Sequence, residues 1–373
     1  MTFLAKRLCA CILTTIAILV FIPAISSGET VDPTDVSGRS IEVPPYPEHI
    51  ICSGPGCLRL VTYLQGQDKV VAVDDMELRR STFEARPYAL ANRQFKKYPL
   101  FGEFRGNDNP ELIVSLDPLP DIIFKTYPGM GYNPEELQQK TGIPVITLNY
   151  GNLAENKDQL YSSLRTLGKV MNRMKRAEKV IAFFEMTLKD LQERTSGINT
   201  DLRLSCFVGG IAFKGPHGIQ STEPEYPPFL YTNALNVAAP EKGSSNTPTH
   251  TNISREKLLE WDPDVIFVDV STIYSGKEAN AVWELKNSEI YSNLYAVRSK
   301  QIYGVLPYNW YSQNFGSILA DAYFVGKVLY PDRFTDIDPN KKADEIYEFL
   351  VGSKVMEQMQ KSFDQLIFKK IDL

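Results

Sequence analysis

Nine rings, Tyr127, Tyr132, Tyr150, Tyr226, Tyr231, Tyr274, Tyr308, Trp310 and Tyr311, stand in polar, turn-rich stretches of this 373-residue chain. Flat rings that also carry a hydroxyl or an indole N–H can bury a macrocycle or an aryl chelate and still hydrogen-bond it. Arg79, Arg80, Lys125, Lys214 and His217 share those stretches, and such cations can pair with an anionic chelate. The densest run is PYNWYSQNF (307–315), where Trp310 lies between Tyr308 and Tyr311. The long polar stretch FKGPHGIQSTEPEYPPFLY (213–231) carries Lys214 and Tyr226 and sets His217 among glycines; long ordered loops of this kind usually serve function. The ligand-binding set read from the sequence is Trp310, Tyr308, Tyr311, Tyr127, Tyr150, Lys214, His217, Tyr226, Arg79 and Arg80. The plain alternative for each ring is that it pins a loop beside Pro and Gly.

Catalysis needs a convergent acid, base or metal cluster. The chain has three histidines and no HExxH, GxSxG, P-loop or glycine-rich dinucleotide turn, so no catalytic residue, metal ligand or cofactor is assigned. A net charge of −5 and a pI near 5.5 give no basic footprint for nucleic acid.

Residues 1–28 read as an export signal: Lys6 and Arg7, an apolar run from Leu8 to Ile25, then Ser26, Ser27 and Gly28. Removing the segment takes the charge to −7. The apolar run of 18 residues is also at the lower edge of what spans a bilayer, so an uncleaved anchor stays open. A lipid anchor needs a Cys after the apolar core, whereas Cys9 and Cys11 stand at its start. Cys52, Cys57 and Cys206 remain; the CSGPGC spacing of the first two fits either a small disulfide loop or two buried thiols.

The elements that must position these residues alternate. Short β-rich runs at 49–53, 69–73, 121–124 and 144–149 are separated by helical segments near 56–64, 108–116 and 133–141. Apolar runs bounded by Gly, Pro and Asp indicate strands buried on both faces of a parallel sheet. The rhythm resumes at 203–209, 254–269 and 301–306, with helices expected near 229–238, over 311–329 and twice after Pro339. Between the halves, residues 155–195 carry one apolar stripe at steps of three and four and predict a single rigid helix of roughly 50–60 Å. The division expected is therefore 29–154, 155–195, 196–335 and 336–373.

Residues 109–124, NPELIVSLDPLPDIIF, return 145 positions later as SREKLLEWDPDVIFVD (254–269). In both, a Glu (Glu111, Glu256) precedes an Asp-Pro by six positions, and an Asp followed by an apolar run closes the segment. This echo, the opening GRSIEVPPYPEHIICSG (38–54) and the linking segment resemble the solute-binding proteins of ABC importers for ferric siderophores, haem and cobalamin, over about residues 40–335. The resemblance implies an α/β fold of two Rossmann-like lobes joined by one long rigid helix, with the ligand cleft between lobes. It implies a monomer, exported to the periplasm or the outer face of the cytoplasmic membrane, which passes a small metal chelate or corrinoid to a transmembrane permease with its ATPase. It places Glu111 and Glu256 as permease-docking carboxylates, one per lobe. Metal chelatases share this architecture, so a chelatase-like enzyme is the alternative.

Overall fold

The computed structural model describes residues 33–79, 83–240 and 248–373. The expected export signal and Arg80 lie outside the described residues. In the first half, β1 (Ile50–Ser53), α1 (Cys57–Tyr63), α2 (Pro110–Val114), β2 (Ile122–Thr126), α3 (Pro134–Thr141) and β3 (Val145–Leu148) follow one another. The three strands pair in parallel in the order β1-β2-β3, with Ile50 opposite Ile122 and Ile123 opposite Val145. Every residue of the three is buried, which is why they read as unbroken apolar runs rather than alternating ones. The run at 69–73 forms only the two-residue strand Val73–Asp74, tied to the sheet where Val71 N donates to Ile50 O at 3.1 Å.

Residues 155–195 form two helices, not one: α4 (Lys157–Val170) and α5 (Met174–Thr195). Asn172 takes φ +56°, a left-handed residue that ends a helix and turns the chain. The helices then run back along each other, held by Arg165–Glu178 at 2.7 Å and Lys157–Glu185 at 3.1 Å. A Cβ on Gly168 would come within 2.8 Å of Ala177 Cβ, so the glycine permits the close packing. The apolar stripe is real, since Leu160, Leu164, Leu167, Val180, Phe184 and Leu191 are all buried. Its period continues through the turn, so periodicity alone could not reveal the reversal. Helix α5, about 33 Å long at 1.5 Å per residue, touches both halves of the chain. Arg176 Nε donates to Tyr63 O at 2.8 Å near its start, and Arg194 pairs with Asp336 at 2.7 Å near its end.

The second half contains β4 (Ser205–Gly209), α6 (Pro227–Tyr231), β5 (Leu235–Asn236), α7 (Arg255–Trp261), β6 (Val265–Asp269), β7 (Ile302–Val305), α8 (Phe315–Leu329), α9 (Pro339–Val351) and α10 (Met356–Ser362). Its sheet is parallel throughout, in the order β7-β6-β4-β5. Helix α6 is shorter than the expected 229–238. Helix α8 begins four residues later than expected because Tyr311 and Ser312 hold φ +52° and +67°. The tail returns to the first lobe: Phe349 stacks on Phe183 of α5 at 4.2 Å, and Arg93 donates to Gln358 Oε1 at 2.6 Å. Cys52, Cys57 and Cys206 are free and buried, so the 52–57 pair packs as small apolar groups. No helix among the described residues is long and apolar enough to cross a membrane.

The echoed segments fold alike, each as a short helix leading into the central strand of its sheet, α2 into β2 and α7 into β6. The Asp that closes each echo plays the same part in both. Asp121 Oδ2 accepts from the N–H groups of Glu48 and His49 at 2.8 and 2.9 Å, just before β1. Asp264 Oδ2 accepts from Ser205 N and Oγ at 2.8 and 2.7 Å, at the first residue of β4. Each carboxylate fixes where the neighbouring parallel strand begins and so sets register. Asp264→Ala is expected to cost about 1–3 kcal/mol, because it strands donors at a strand start, while Glu256→Ala leaves stability nearly unchanged. Urea unfolding of both variants checks this, and equal effects would contradict it.

Candidate functional site

Loops that leave the carboxyl ends of the two parallel sheets meet, Tyr127 and Tyr150 from the first and residues 310–313 from the second, at the end of the sheet where α/β folds bind ligands. There, the loop after β7 meets the first lobe through Arg59 of α1, whose side chain is 1% exposed. Its guanidinium donates to Trp310 O and Tyr311 O at 3.1 Å each, to Gln313 O at 2.9 Å, and to the Tyr150 hydroxyl. Tyr150 in turn donates to Gln313 O at 2.6 Å, and the Tyr127 and Ser312 hydroxyls pair at 2.9 Å. A planar cation with five fixed donors suits a loop that presents several carbonyls at once.

The same loop sends the Tyr311 hydroxyl to Asp74 Oδ2, and Arg105 N donates to the Tyr311 oxygen at 3.2 Å. Burial lifts the Asp74 carboxyl to about 7, and the nearby Glu77 charge adds to the rise. Glu77 is itself buried, paired with Arg86 at 2.7 Å and accepting from Tyr88 at 2.6 Å. A second interlobe contact is apolar: Phe83 packs on Tyr274, Trp310 and Phe363 with ring centres 4.4, 4.7 and 5.1 Å apart.

Several residues assigned to ligand binding are core instead. Tyr226 and Tyr308 are 0% and 1% exposed. The Tyr308 hydroxyl donates to buried Glu223, and Tyr226 points its hydroxyl at Asp321, 3.5 Å away. Their hydroxyls answer buried carboxylates in the second lobe, not a solute. Tyr150, also buried, is an interlobe strut. Lys125 is fully buried and bonds Asp108 at 2.6 Å, Gly106 O at 2.9 Å and Ser53 Oγ at 3.0 Å, so it cannot reach an anion in the cleft. Trp310 and Tyr311 are half-buried, held by Arg59 and Asp74 as described. Arg79 is exposed but committed to Asp75 at 2.8 Å, and its guanidinium lies 4.0 Å from the Phe104 ring centre.

Tyr127 and Lys214 are exposed, and His217 is half-buried. Lys214 lies over the exposed Phe213 ring at 5.2 Å. Two further side chains, not singled out in the sequence, are also accessible. Arg105 is exposed and stacks on Phe104 at 5.1 Å, and His250 lies face to face with Phe213 at 4.4 Å and 8°. Arg59 was missed because it sits inside an apolar helix, where a lone cation reads as surface. Glu111 and Glu256 are exposed in the first turns of α2 and α7, whose N-caps Asn109 and Ser254 accept from the first helical N–H groups. Neither carboxylate makes an ion pair within 4.0 Å among the described residues.

The profile of the periplasmic binding protein family matches residues 51–308, well over half of the chain, and the protein belongs to that family, one of binding proteins rather than enzymes. It is similar to YvrC of Bacillus subtilis, an uncharacterized ABC transporter substrate-binding lipoprotein, at 23% identity over 81% of this chain and 86% of that protein. It is similar to the molybdate-binding protein MolA of Haemophilus influenzae at 21% identity over 84% and 89%. The molybdate-bound MolA structure shares the fold, with a TM-score of 0.63 over 86% of this chain and 98% of that one. An iron-uptake system-binding protein of Bacillus subtilis is 24% identical over 52% of this chain and 57% of its own length.

Burial, the largest cause in each case, raises several carboxyls in the two lobes, among them Asp269 to about 6, Asp74 to about 7 and Glu223 to about 8. Each holds its proton in the folded protein at pH values where the unfolded chain, with carboxyls near 4, has released it. The folded state binds more protons through that window, so stability falls as pH rises from about 4 to 8. The melting temperature is expected to be lower at pH 8 than at pH 5.5, and Asp74→Asn to flatten part of the slope. A melting temperature that stays level or rises over that range contradicts the assignment.

Proposed function

We propose that this member of the periplasmic binding protein family captures an iron chelate, either siderophore or haem, or a corrinoid, in the cleft between its lobes. It would do so outside the cytoplasm, as a monomer, and hand the ligand to an ABC permease and its ATPase. The observation that supports this most is the meeting of the two sheets' carboxyl ends. There Arg59 locks the 310–313 backbone in place while Tyr127, Arg105, Phe213 and Lys214 stay exposed. Exposed cations beside flat rings suit an anionic, unsaturated ligand. In this reading residues 1–28 are the export signal, 29–154 and 196–335 are the lobes, and 336–373 is a tail that straps them.

Delivery is assigned to Glu111 and Glu256. Each stands in the first turn of the helix that leads into its lobe's central strand, so the two occupy equivalent places. A carboxylate there is favoured by the helix N-terminus and can be gripped bidentately by an Arg.

Two measurements test the parts separately. Calorimetric titration against ferric siderophores, haem, cobalamin and molybdate should give one tight ligand, with an affinity of about −8 kcal/mol or better. Tyr127→Ala should weaken it by about 1–3 kcal/mol. Binding of molybdate alone would replace the chelate by an oxyanion. In a reconstituted importer the Glu111→Ala, Glu256→Ala double variant should lose uptake with ligand affinity and melting temperature intact. Normal import by that variant rejects the docking role.

A further inference from the structure

Two of the three histidines in the chain, His217 and His250, are 33 positions apart in sequence and carry no recognisable ligand spacing. The fold sets their ring centres 5.9 Å apart at 41°. Hydrogen bonds fix the proton on each ring. His217 Nε2 lies 2.6 Å from Phe213 O, and since a carbonyl only accepts, Nε2 carries the proton. His250 Nε2 lies 2.7 Å from Ser221 Oγ. The single Ser221 hydroxyl proton is already given to Ile211 O at 2.6 Å, so here too Nε2 is the donor and Ser221 the acceptor. Nδ1 of each neutral ring is then an unprotonated lone pair, and neither Nδ1 has a hydrogen-bond partner among the described residues.

We propose that His217 and His250 form a two-point site for a transition-metal ion, each binding through Nδ1. Metal-bound histidines usually donate their other N–H to a carbonyl or similar group, which fixes tautomer and ring orientation; Phe213 O and Ser221 Oγ already hold those places. Two imidazoles sharing one ion at about 2.1 Å per bond place their ring centres roughly 4.5–6 Å apart, which includes the observed spacing. The site is braced as well: His250 stacks on Phe213, and Thr272 Oγ1 donates to His217 O at 2.6 Å. Both histidines stay half-buried and so reachable.

Among the described residues no group of three or more His, Cys, Asp or Glu side chains could hold a metal. The described residues therefore supply two positions, and the rest come with the ion, from water or from a chelator. Imidazole nitrogen selects nickel, copper, cobalt, zinc or iron over magnesium and calcium. The inference rests on the reading that this cleft carries a solute, and makes that solute a metal ion with two positions open.

Untagged protein is titrated with nickel chloride and, separately, with nickel nitrilotriacetate, by calorimetry at neutral pH. At least one probe is expected to bind at one equivalent. His217→Ala and His250→Ala should each weaken it tenfold or more, and the double variant should abolish it. His49→Ala, which removes the one other imidazole, should leave it unchanged. Binding of the chloride alone marks a free ion as cargo, binding of the nitrilotriacetate complex alone marks a chelate, and either supports the site. Binding of neither probe, or retention by the double variant, overturns it. His217→Gln and His250→Gln, run alongside with thermal melts, separate a lost ligand from a lost fold. Because no transporter is present, failed import with intact nickel binding rejects delivery and leaves the site standing.

Discussion

The buried guanidinium of Arg59 is the interaction on which the geometry of the cleft depends. A charge taken wholly out of water is costly unless its donors are satisfied, and three of the four acceptors for this one come from the opposite lobe. Its Nε has no hydrogen-bond partner among the described residues, so the loop carbonyls and the Tyr150 hydroxyl carry the compensation together with the Tyr88 ring, whose centre lies 5.2 Å from the guanidinium carbon. Moving the lobes apart would strand the cation and at least three carbonyls together. The Tyr311–Asp74 and Tyr127–Ser312 bonds and the Phe83 ring cluster then add to a junction that already resists opening.

The second lobe concentrates buried acid without a matching base. Glu223, Asp269 and Asp321 are all buried, and their partners are hydroxyls and backbone N–H groups: Tyr308, Tyr226, Ser271 and Leu306. Protonation is the less costly way for such carboxyls to stay buried, which explains why burial raises all three. It also explains the tyrosines. Two rings that look like ligand platforms in the sequence are the hydrogen-bond donors that make this acidic core tolerable.

The internal echo has two separable causes. Asp121 and Asp264 anchor the start of the strand beside them, a requirement that any parallel sheet built this way must meet in each lobe. Glu111 and Glu256 meet no such requirement, being exposed and without an ion pair among the described residues. The repeat thus holds, in each lobe, one acid with a structural part and one that is exposed.

Local pattern specified the α/β class, the parallel strands and the helix-to-strand echo. These depend on local apolar runs and their punctuation, and a strand buried on both faces can hardly read otherwise. It also determined the apolar stripe at 157–195, because burial of one helix face writes a period of 3.6. It could not show that the stripe folds back at Asn172, since one left-handed residue leaves the period intact. Packing alone settles which rings are exposed and which are buried, because Tyr127 and Tyr308 are the same residue type in similar turns and differ in what packs above them. The same holds for Arg59 and for the His217–His250 pair: their partners lie 91 to 254 and 33 positions away, and no local pattern encodes a contact made by the meeting of distant loops.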